Sequence, residues 1–73
     1  MKNKERYYVA LSENKGHLNE IDLGETLGFE EEVTMSLIAQ LMAEHKIEYY
    51  ENGSCNYRIM KGFRGKNRKV YLY

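Results

Sequence analysis

The chain has 73 residues, no Pro, a single Cys, and 11 basic residues balanced by 11 acidic ones. One Cys cannot close an internal disulfide, so a stapled secreted scaffold is excluded. No stretch approaches the ~20 apolar residues of a membrane span, and MKNKERYY lacks the apolar run of a secretory leader. The expectation is a cytoplasmic single domain over 1–73, short enough to bury only about 60% of its unfolded surface.

The zero net charge hides segregation. Glu20 to Glu51 holds nine acids against one base, Lys46. From Gly53 onward there are six bases (Arg58, Lys61, Arg64, Lys66, Arg68 and Lys69) and no acid. Lys2, Lys4 and Arg6 sit at the other end. An acidic middle with basic ends is a statement about partners rather than about fold.

In chain order, residues 1–5 are polar and read as a flexible arm. Arg6 to Glu13 carries apolar residues at helical spacing, although Tyr7-Tyr8-Val9 has strand propensity; a helix is expected, because a following helix pair needs a third to close its core. Asn14-Lys15-Gly16 is a turn, and His17-Leu18 reads as a very short strand. Asn19 is the N-cap of a second helix that bears Ile21, Leu23 and Leu27. Gly24 on its inner side lets another helix approach, and Gly28 ends it at the C′ position. Val33, Thr34, Leu37, Ile38, Leu41 and Met42 recur at offsets of three and four, the mark of an amphipathic third helix from about 30 to 45. Glu30, Glu31 and Glu32 at its start and His45-Lys46 at its end suit the helix dipole.

Ile47–Glu51 and Cys55–Met60 form a hairpin around Asn52-Gly53. An odd loop keeps Ile47 and Tyr49 on one face with Cys55, Tyr57 and Ile59. A three-residue loop Glu51-Asn52-Gly53, with Gly53 in the left-handed region, meets that need. Lys69 to Tyr73 alternates and reads as a further C-terminal strand. The expected core is Leu11, Leu18, Ile21, Leu23, Leu27, Phe29, Leu37, Ile38, Leu41, Ile47, Tyr49, Tyr57 and Ile59.

The chain carries no phosphate-cradling Gly-rich loop, no Ser/Cys–His constellation and no His-x3-His pair, so neither an enzyme nor a cofactor is expected. His17, His45 and Cys55 match no zinc spacing. His45 reads as a helix-end residue, Cys55 as a small part-buried strand residue, and Glu30–Glu32 as a solvated helix start.

The string Asn19-x3-Leu23-Gly24-x2-Leu27-Gly28-Phe29, with the onward spacing to Ile38, Leu41 and Ile47, resembles the helix-turn-helix of winged-helix regulators of the multiple-antibiotic-resistance type. The small residue after the Leu, the turn Gly and the next apolar residue are that family's motif, and the resemblance covers about half the chain. One departure is Thr34, where the family has a β-branched apolar residue; Val33 stands one position early, which leaves the rotation of the third helix open. The resemblance implies an α+β fold: a three-helix winged helix-turn-helix with a hairpin wing, here with an extra C-terminal strand.

The resemblance also implies a transcriptional regulator that binds double-stranded DNA, with a second copy of the chain as partner. In such readers the second helix of the motif enters the major groove and the wing touches backbone. The groove-facing positions would be Glu31, Glu32, Met35, Ser36, Ala39 and Gln40, with Ser36 and Gln40 near bases. Arg58, Lys61, Arg64, Lys66, Arg68 and Lys69 would lie on phosphates. The rival expectation is a winged-helix module that binds protein instead of DNA, with Glu30, Glu31 and Glu32 meeting a basic partner or the basic C-terminal strand of another copy. Its motive is charge: the helix tip is acidic, and affinity for DNA rests on Lys and Arg at phosphates.

Overall fold

A computed structural model of the chain describes residues 2–60. Three helices, α1 (Asn3–Asn14), α2 (Glu20–Thr26) and α3 (Glu31–Ala43), are followed by an antiparallel hairpin of β1 (Ile47–Asn52) and β2 (Cys55–Ile59). This is an α+β fold of winged-helix-like layout. The strand expected over 69–73 lies outside the described residues. Among the described residues no helix is long and apolar enough to cross a membrane.

Helix α1 begins at Asn3, inside the stretch expected as an arm, and the Glu5 carboxylate accepts the Lys2 N–H at 3.2 Å. Tyr7 and Leu11, four residues apart, are buried on its inner face. No strand forms at His17-Leu18. The Asn14 side chain takes both backbone groups of Leu18 instead, donating to its carbonyl at 2.8 Å and accepting its N–H at 3.0 Å. With its backbone satisfied by a side chain, Leu18 needs no strand partner, and its own side chain stays exposed.

Helix α2 starts as expected: Asn19 Oδ1 accepts the Asp22 N–H at 2.8 Å. It ends with Phe29 N–H on Gly24 O and Gly28 N–H on Glu25 O, the paired bonds of a Schellman motif, with Gly28 at φ 86°. Helix α3 ends the same way, with His45 at φ 61° and Lys46 N–H on Leu41 O. The rotation left open at Val33–Thr34 has an answer. Thr34 is fully buried, and Val33 is 38% exposed. Thr34 packs on Gly24: a Cβ at position 24 would overlap the Thr34 hydroxyl oxygen and lie 3.0 Å from its two side-chain carbons.

In the hairpin, Ile47 faces Ile59, Glu48 faces Arg58 and Tyr49 faces Tyr57; a bulge between Tyr49 and Asn52 then sets Asn52 opposite Cys55. Apolar residues meet apolar residues, as the odd-loop reasoning requires. The loop itself is corrected, being Gly53-Ser54, with the parity supplied by the bulge. Gly53 is left-handed at φ 61° and sits against Gly16, whose carbonyl accepts the Ser54 N–H at 2.9 Å.

The core is Tyr7, Leu11, Leu23, Phe29, Leu37, Ile38, Leu41, Ile47 and Cys55. Leu27, Tyr57 and Ile59 pack at its margin, and Ile21 is half-buried. Two expected members are exposed instead. Leu18 lies in the Asn14-held loop, and Tyr49 is 57% exposed, packed edge-on to Tyr57 with ring centroids 5.7 Å apart. Buried beyond the expected set are Tyr7, which donates its hydroxyl to the Glu20 carbonyl at 2.9 Å, Thr34, which fills the α2–α3 crossing, and Cys55, which is fully buried and not part-buried as expected.

Candidate functional site

The outer face of α3 follows from its inner face. Thr34, Leu37, Ile38 and Leu41 are spent on the core, so residues 31–33, 35, 36, 39, 40, 42 and 43 are exposed. The positions expected to face a groove (Glu31, Glu32, Met35, Ser36, Ala39 and Gln40) therefore do share one accessible side. Gln40 Nε2 donates to Ser36 Oγ at 3.2 Å, one helical turn away. Met35 is 46% exposed and Met42 38%. No Lys or Arg occurs between Glu31 and Ala43, and the leading turn is acidic. At the trailing end Glu44 pairs with Lys4 of α1 and lies 3.8 Å from Lys46. The Lys4 ammonium holds the Glu44 carboxyl below the usual carboxylate range.

The hairpin presents one candidate cation among the described residues, Arg58. It is already engaged: its Nε donates to Glu48 Oε2 at 2.7 Å, and its guanidinium lies 3.6 Å from the centroid of the Tyr50 ring. A cross-strand ion pair with a stacked aromatic makes this face a neutral surface rather than a free positive one. Lys61, Arg64, Lys66, Arg68 and Lys69 lie outside the described residues. Residues 2–60 carry six bases (Lys2, Lys4, Arg6, Lys15, Lys46 and Arg58) against eleven acids, a net charge of −5, and the five remaining bases all fall in 61–73.

Three residues that position these surfaces had no local signal in the sequence. Arg6 reaches across to α2, donating to the Leu27 carbonyl at 3.0 Å and lying 5.2 Å from the Phe29 ring centroid. It thereby answers the negative end of α2 and pins the turn into α3. Glu20 sends Oε1 to the Asn56 N–H at 3.1 Å, which ties the hairpin to the start of α2. Asn14 shapes the loop that receives Gly53. The Arg6 and Glu20 contacts join parts of the chain 21 and 36 residues apart, so residue type alone could not indicate them.

Buried ionisable groups are held neutral. Burial, aided by nearby Cys55 and Glu20, pushes the Tyr7 hydroxyl far above its ordinary pKa. Burial also pushes up the Cys55 thiol, which donates to the Tyr57 carbonyl at 3.3 Å. A buried thiol kept protonated is a poor nucleophile. An open groove of about 710 Å³ runs between the end of α1 and the hairpin, past Lys15, Tyr50, Tyr57 and Arg58. Among the described residues no group of three His, Cys, Asp or Glu side chains converges as a metal site. Compared with known proteins, the chain matches no family model, no curated protein and no solved structure.

Proposed function

We propose that this chain is an interaction module of winged-helix layout whose α3 outer face docks a protein. One observation carries the reading: behind its acidic tip the exposed face bears no cation, with Met35 and Met42 exposed along one flank of the helix and Val33 on the other. Neutralising phosphates with Lys and Arg supplies most non-specific affinity for DNA. A helix led by Glu31 and Glu32 repels a phosphate backbone, while exposed Met and Val gain from burial against a partner. The acidic set Glu30, Glu31 and Glu32 favours a partner with a basic rim.

The second reading is a DNA-binding regulator of the winged-helix type. The layout of three helices and a hairpin supports it, as does the exposed Ser36–Gln40 pair on α3. On this reading Met35, Ser36 and Gln40 lie at base edges, and Arg58, Lys61, Arg64, Lys66, Arg68 and Lys69 lie on phosphates.

A fluorescence-anisotropy titration of the full chain with mixed duplex DNA, at low and near-physiological salt, separates the two. The docking reading expects at most weak binding that disappears with salt, is unaffected by Gln40→Ala and is abolished by Arg64→Glu with Lys66→Glu. Binding that persists near physiological salt and weakens about tenfold or more with Gln40→Ala establishes the regulator and overturns the docking reading.

A further inference from the structure

We infer that the groove between the end of α1 and the hairpin is a docking site for the chain's own segment 69–73, laid antiparallel along the outer edge of β2. The inference concerns a different surface from the α3 face and stands or falls separately from the docking reading.

The edge follows from the hydrogen bonds of the hairpin. Its two-residue loop closes on the pair Asn52–Cys55. Backbone groups alternate along a strand, so Cys55, Tyr57 and Ile59 face β1, and the residues between them face away. The outward row is visible: the Ser54 N–H reaches the Gly16 carbonyl at 2.9 Å, and the Asn56 N–H reaches Glu20 Oε1 at 3.1 Å. Arg58 is next in that row. Its backbone groups point to the groove of about 710 Å³, which has Leu11, Ser12 and Lys15 on one bank and Tyr57, Ile59 and Met60 on the other. The row closes at Met60, whose N–H turns back to the Lys46 carbonyl at 2.9 Å. An uncovered edge of this kind is a template for a further strand.

Three observations choose the occupant. The chain leaves β2 through Met60, itself a lining residue, so the next residues start at the mouth of the groove. Thirteen residues follow Met60, and the last five match the five of β2, with Gly62 and Gly65 between to turn on. A turn at Arg64-Gly65 sets Val70 beside Ile59, Leu72 beside Tyr57 and Tyr71 beside Arg58, so apolar meets apolar and an aromatic ring meets a cation. The third observation is charge: the segment carries +5 and the body −5, which favours folding back over extension. The alternation over 69–73 predicts a strand without saying where it pairs; the groove supplies the place. A tethered strand is also held there at an effective concentration of about millimolar, which a separate peptide would have to match.

Nuclear magnetic resonance of the full chain tests this. Cys55 is buried, so a nitroxide introduced through Tyr73→Cys attaches to the new thiol alone. It should broaden the amides of Ser12, Gly16 and Arg58 more than those of Glu31 and Met35. In the chain without the nitroxide, Val70→Asp combined with Leu72→Asp should speed amide exchange at Arg58 about tenfold or more, while Leu37 and Ile38 in α3 are unchanged. Broadening spread evenly over the chain, or an Arg58 amide that exchanges equally fast with and without the two substitutions, overturns the inference. So does broadening that passes, in a mixed sample, from a nitroxide-bearing chain to a second chain without one, because the occupant is then another copy's segment.

Discussion

Thr34 and Gly24 decide how closely the second and third helices approach. The Thr34 hydroxyl is fully buried without a hydrogen-bond partner among the described residues, and an unpaired buried hydroxyl costs about 1–3 kcal/mol. Thr34→Val keeps the β-branched shape and removes that group, so a gain of about 1 kcal/mol is expected in urea unfolding. Gly24→Ala should do the reverse. Its methyl has nowhere to go but into Thr34, and overpacking by a methyl costs about 1–3 kcal/mol, more than the roughly 1 kcal/mol that Ala gains in a helix. Combining it with Thr34→Ala opens space, and the two losses should then sum to more than the loss of the double variant.

Tyr7 gives a pH dependence at the same scale. Its hydroxyl and the Cys55 thiol have folded pKa values above the ordinary 10.0 and 9.0. In the unfolded chain both groups ionise first as pH rises. Stability is therefore whole below about pH 9 and falls as pH climbs past the ordinary values, because the unfolded state releases protons that the folded state retains. Tyr7→Phe should flatten the tyrosine part of that fall. At neutral pH it should cost about 1 kcal/mol for the lost bond to the Glu20 carbonyl. Urea midpoints followed from pH 7 to 11 read both effects.

At the scale of elements, the helix pair and the hairpin are held by few long-range bonds. Arg6 joins α1 to the end of α2 and to Phe29. A charged donor on a helix's last carbonyls, with a cation–π contact, contributes about 1–2 kcal/mol where part-buried. Arg6→Ala is expected to lower stability by that amount. It should also speed amide exchange at Gly28 and Phe29 more than at the α3 core, since their N–H groups close the turn that Arg6 pins. Arg6→Lys keeps the charge but not the planar fork, and should recover only part of the loss. The hairpin is tied by the Asn56 N–H to Glu20 and the Ser54 N–H to Gly16. These two bonds add to the burial of Ile47 and Cys55 in the core shared with α3.

At the scale of the molecule, charge separates a −5 body from a +5 segment over 61–73. The net positive charge that favours a duplex lies in that segment, against the repulsion of the body, which is why the salt dependence of DNA binding discriminates so sharply.

Local features were legible in the order of residues. The Asn19 cap, the stop at Gly28, the helical period from Val33 to Met42 and the matched faces of the hairpin all depend on neighbours within a few positions, and so do the three helices and two strands they build. The exposed face of α3 was legible for the same reason, because a helix that buries one stripe must show the other. Distant contacts were not. That Tyr7 would enter the core and Leu18 and Tyr49 leave it, that the hairpin would reach its parity through a bulge, and that Arg6, Glu20 and Asn14 would serve as ties depended on groups 4 to 36 residues apart along the chain. Nor could spacing choose between Val33 and Thr34, which are adjacent and both β-branched. The choice went to Thr34 because Gly24 on the facing helix leaves room there for a side chain that only the packed pair can measure.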